Sequence, residues 1–126
     1  MTKPILRIGI APRDYIKRRS IEIASGKRHR NPNEPKIWFT SLDAIGRVLS
    51  EKNMLLLEVI RNSEPRSLTE LAKAVGAAKS NMSRTLNKLE EFGLIVFEPQ
   101  DGGRVAPRVV YDSVAVDIKL HRPKAA

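Results

Sequence analysis

Gly76 constrains this chain more than any other residue, because it separates two helical patterns by almost nothing. Before it, Ser67-Leu68-Thr69-Glu70 has the spacing of a capping box. In that motif a serine hydroxyl accepts from the amide three residues on, and a glutamate reaches back. Leu68, Leu71, Ala72 and Val75 then recur on one helical face. After it, Ala78, Met82, Leu86 and Leu89 form a second apolar stripe, stopped by Gly93. A short capped helix and a longer amphipathic one must therefore fold back on each other across a tight turn. Beyond Gly93 the apolar period drops from about 3.6 to about 2. Leu94–Phe97 reads as a strand, Asp101-Gly102-Gly103 as a turn and Val105–Tyr111 as the return strand. Pro107 within that strand demands an edge position or a bulge.

Upstream, residues 5–10 are β-branched and predict a strand. Pro12 is suited to open a helix in which Tyr15, Ile16, Arg19 and Ile23 recur, and Gly26 to end it. Lys27–Pro35 holds two prolines, many charges and no apolar residue, and reads as a linker. Past it, Thr40-Ser41-Leu42-Asp43 offers an N-cap for a segment with Leu42, Ile45 and Leu49. Ser50 can cap another with Leu56, Val59 and Ile60, giving one bent helix or two short ones. Residues 114–120 alternate as a half-buried strand, a candidate partner for strand 5–10 within one chain or between two. The expected division is a basic strand-helix module and linker over 1–35, a second domain of helices and hairpin over 36–120 and a disordered tail over 121–126.

Charge sharpens this division. The 126 residues carry 23 Lys and Arg against 14 Asp and Glu, net +9. Residues 1–36 alone hold 10 basic and 3 acidic residues. Such an excess points toward a polyanion, whose counterions basic side chains release. With no cysteine, a disulfide framework, a Cys-ligated zinc site and a thiol nucleophile are excluded. No apolar run exceeds four residues, Met54–Leu57 stopping at Glu58, far short of a spanning helix, and Arg7 interrupts the N-terminal apolar stretch. A cytoplasmic protein with no membrane partner is expected.

Enzyme readings fail on inventory. His29 and His121 lie in segments without partners for a triad or a metal site. Gly102-Gly103 sits in a hairpin, not after a strand as a phosphate loop requires, and Glu90-Glu91 diverge on a helix. No catalytic residue, metal or cofactor is expected. Trp38 and Phe39 read as core anchors rather than a base-stacking platform. Lys17-Arg18-Arg19 and the group Lys27, Arg28 and Arg30 read equally as phosphate contacts or solvated charge.

Three helices, a glycine turn and a hairpin follow the order of a winged helix-turn-helix, an α+β fold, here with an N-terminal strand-helix extension. Residues 67–95 resemble the helix-turn-helix of MarR-like winged-helix regulators. They share with it a capped helix, a Gly turn, Ser83-Arg84-x-Leu86 and a Leu89-Glu90-x-x-Gly93-Leu94 exit. Residues 40–111 match more loosely. The arrangement is most similar to small putative regulators, some of which act as antitoxins. The resemblance implies a DNA-binding regulator with recognition helix 78–92 and wing 99–106. Lys79, Ser80, Asn81, Ser83, Arg84, Asn87 and Lys88 would face DNA, with Arg104 at the wing tip. These residue types suit base edges and phosphates. Ala78 departs from the family in lacking a capping side chain. The flanks lack the long dimerising helices of MarR proteins, so their dimer and ligand pocket do not carry over.

The expected function is a dimeric repressor acting on double-stranded DNA. The alternative is an antitoxin that binds a small toxin protein and represses its own operon. RNA binding stays open.

Overall fold

The structure, a computed structural model, describes residues 4–120. The tail expected over 121–126, with His121, lies outside the described residues. Among these, five α-helices and five strands form in an α+β arrangement. The strands divide between a three-stranded sheet and a two-stranded hairpin. Chain contacts separate two units: residues up to Gly46 with those from Ser113 onward, and Arg47–Asp112.

In the first unit, β1 (Ile5–Ile10) is central, flanked by β2 (Ile37–Phe39) and β5 (Ser113–Asp117), and both pairings are parallel. Parallel neighbours need a crossover. Helix α1 (Arg13–Ala24) and the following segment supply it between β1 and β2. Leu6 and Ile8 are buried while Ile5 and Arg7, which alternate with them, are exposed, the pattern of a pleated strand. Gly9 sits opposite Trp38, and a Cβ built on it would fall 2.6 Å from the indole. Only glycine lets that ring lie over the strand.

These pairings correct two expectations. The strand-helix start is not an extension, because β1 is the middle strand of a sheet. The boundary expected at residue 35 falls instead within α2 (Leu42–Val48) and again after Asp112. The segment 27–35 is irregular but not a free linker: Pro35 is buried, and Glu34 pairs with buried Arg19 of α1. Proline and charge mark an absence of regular structure; they do not reveal that β2 must return alongside β1. Strand β5 also ends at Asp117, short of residue 120.

In Arg47–Asp112 the local signals act as physical chemistry requires. Ser50 caps α3 (Glu51–Ser63) by accepting from the Asn53 amide, so α2 and α3 are two helices. Helix α3 ends on Glu64 at φ 44°, a left-handed position. Ser67 caps α4 (Leu68–Val75), accepting from the Glu70 amide at 3.1 Å. The Glu70 carboxylate reaches back to the Arg66 amide at 3.4 Å, one residue beyond the expected partner. Gly76 closes α4 at φ 68° and delivers the chain to α5 (Lys79–Glu91). Strands β3 (Ile95–Pro99) and β4 (Val105–Val109) then pair antiparallel, closed by the Gln100 amide donating to the Arg104 carbonyl. The hairpin packs against α3, α4 and α5. Leu71, Leu86, Leu89 and Ile95 are at most 1% exposed and form the centre of this core. Pro107 fits because each strand of a two-stranded sheet has a free edge.

Candidate nucleic-acid interface

Helix α5 divides cleanly by face. Met82, Leu86 and Leu89 are buried at i, i+4 and i+7. Ser80, Arg84 and Asn87 repeat the same spacing on the opposite side, and all three are exposed. Lys79, Asn81 and Lys88 are exposed on the flanks, while Ser83 is half-buried. Ala78 precedes the helix in an extended conformation with no side-chain bond to its first turn. That turn therefore presents amides without a cap of their own.

The structure brings some of these residues together and separates others. Lys79 and Arg104 line one open cleft of about 460 Å3 with Ser67, Thr69 and Gly103. Helix α4 begins at this cleft, and the side chains lining it include two cations and no carboxylate. A helix start and two cations favour an anion there. Asn81 turns elsewhere: it lines a mainly apolar cleft with Leu55, Leu56, Val59 and Val75.

The hairpin that carries Arg104 is tied to the helices by a residue the sequence did not single out. Arg108 Nη1 donates to the Pro65 carbonyl at 2.7 Å, fixing β4 to the loop before α4. Arg108 Nε lies 3.8 Å from Glu98 of the facing strand. Arg61 of α3 likewise donates to the Tyr111 carbonyl at 3.1 Å and pairs with Asp112. No periodic signal exposes such contacts, because each joins residues ten or more positions apart in the chain. Thr69 was likewise missed, having no role in the cap.

The basic residues near the N-terminus behave differently from one another. Lys17 and Arg18 are exposed, whereas Arg19 is buried against Trp38 and Glu34. Arg28 is held by Glu22, and that hydrogen bond raises its pKa above the ordinary arginine value. The charge run is thus split between solvent and internal pairing.

Among the described residues, no group of three or more His, Asp or Glu could hold a metal ion, and no helix is long and apolar enough to cross a membrane. A family model, HVO_A0114, matches residues 48–116. No curated protein and no solved structure matches the chain.

Proposed function

The chain belongs to the HVO_A0114 family, and from that premise and the shape of its α3–β4 region we propose a sequence-specific DNA-binding transcriptional regulator of winged-helix type. The observation that carries this reading is the exposed polar face of α5, placed between a capped brace helix and a cationic hairpin tip. Helix α5 enters the major groove. Arg84 and Asn87 reach base edges, where arginine suits guanine and asparagine adenine. Lys79, Lys88 and Arg104 take phosphates, the last from the wing, and so set the register. The resemblance of residues 67–95 to MarR-like regulators supports the same assignment. Bound as a homodimer over a promoter, the protein acts as a repressor by occupancy.

Footprinting on the DNA upstream of its own gene tests the reading. Arg84→Ala should weaken specific binding by about 1–3 kcal/mol while leaving the thermal transition in place. Normal operator binding by that variant would remove α5 as the reading helix.

One observation favours a second reading. The first unit is compact in its own right, as a protein-binding module of an antitoxin would be. A stable one-to-one complex with the product of an adjacent small gene, and loss of that product's toxicity, would establish it.

A further inference from the structure

A cleft of about 440 Å3 in the first unit runs between the second half of α1 and the segment leading to β2. Arg19, Arg30 and Lys36 line it against a single acid, Glu34, with Ile23 and Pro32 among its apolar walls. Arg19 is only 8% exposed. Its guanidinium carbon lies 5.2 Å from the centre of the Trp38 ring, and Tyr15 meets that ring edge-on at 5.5 Å. Glu34 satisfies one end of the guanidinium, through Nη2. Arg19 Nε and the Trp38 indole nitrogen are both buried and have no hydrogen-bond acceptor. Native proteins leave few buried donors unpaired, and a pair of them in one cluster calls for an acceptor.

We propose that this cleft binds a small organic oxyanion, a carboxylate or phosphate on a compact aliphatic body. The cationic lining attracts the charge, the apolar walls take the body, and the two unpaired donors gain an acceptor. Both nitrogens are buried, so an acceptor reaches them only if the side chains over them shift. The site is independent of the DNA-binding reading and uses none of its residues.

Trp38 is the sole tryptophan, so its fluorescence reports the event in the full chain. The titrants are sodium acetate, sodium butyrate and sodium phosphate, with sodium chloride at matched ionic strength as the baseline. The oxyanions should give a saturable change that chloride does not. Butyrate should bind about tenfold more tightly than acetate, the value of two buried methylenes. Arg30→Gln, at an exposed position that leaves the core intact, should weaken butyrate about two- to fivefold. Glu34→Gln should tighten it, because a competing carboxylate has gone. Equal responses to chloride and the oxyanions, or Arg30→Gln and Glu34→Gln leaving the affinity unchanged, would overturn the proposal and leave Arg19 as a structural ion pair. A duplex of random sequence that alters Trp38 while all three oxyanions do not would overturn it too, assigning the cleft to a nucleic-acid backbone.

Discussion

In Arg47–Asp112 each helix follows its neighbour after a short turn, and the hairpin pairs Pro99 with Val105 and Ile95 with Val109. In the other unit β1 pairs with β2 only after α1 and an irregular segment, and Ile5 pairs with Ser113 after the whole of Arg47–Asp112 has intervened. Closing a loop costs more entropy as it lengthens, and distant pairings must bear that cost before they are rewarded. The first design draws on caps, turns and stripes that form locally. The second draws on fit between distant segments, as where Gly9 lies under Trp38. The difference teaches where each unit is vulnerable: one in its core volume and caps, the other at a single point of close approach.

The strongest way to break the locally built unit is its core. Leu86→Ala removes a side chain with no exposure at the centre of the helices and hairpin. It should cost about 2–5 kcal/mol by urea denaturation. A smaller loss would mean that the helices close over the cavity.

Gly9→Ala is the matching lesion in the non-local unit. Its Cβ would meet Trp38 carbons at 2.6 and 2.7 Å and Pro35 Cγ at 2.9 Å. Overpacking of this kind costs about 1–3 kcal/mol. Hydrogen exchange should show lost protection in β1 and β2 first, because register there depends on that fit. Unchanged exchange in both strands would show that the indole moves aside freely.

The caps offer the finest test, with opposite signs at the starts of two successive helices, α4 and α5. Ser67→Ala removes an observed bond to the Glu70 amide and should cost about 0.5–2 kcal/mol. Ala78→Ser adds a hydroxyl at an extended position that lacks one, and should return a similar amount. If thermal melts move in neither case, capping contributes nothing here and the unit rests on packing alone. Because Ala78 starts the helix proposed to read DNA, operator affinity measured beside stability separates rigidity of that turn from contact with the groove.

How much was legible in the residues follows the same division. The Ser67 cap, the Gly76 reversal, the α5 stripe and the hairpin turn each depend on neighbours a few residues away. The exposed face of α5 follows from its buried one by geometry alone, so most candidate site residues could be named in advance. Strand β2 could not. Three residues after a proline- and charge-rich segment carry no periodicity, and they become a strand only because β1 is beside them. The run Lys17-Arg18-Arg19 reads equally as phosphate contacts or solvated charge, since nothing adjacent in sequence says that Trp38 and Glu34 will enclose Arg19.

The sequence by itself determined where helices start and stop, which face of each is apolar, and where the pattern changes to strands. Those are properties of short stretches of backbone and of side chains at fixed spacing. Only the tertiary structure decided that the first strand is central to a parallel sheet, and that its pairing with the segment from residue 113, one of two arrangements the sequence leaves open, forms within one chain. It alone set Lys79 beside Arg104 and turned Asn81 to a different cleft. Parallel pairing and cleft formation depend on which surfaces meet once distant segments are brought together, and no local pattern encodes that choice.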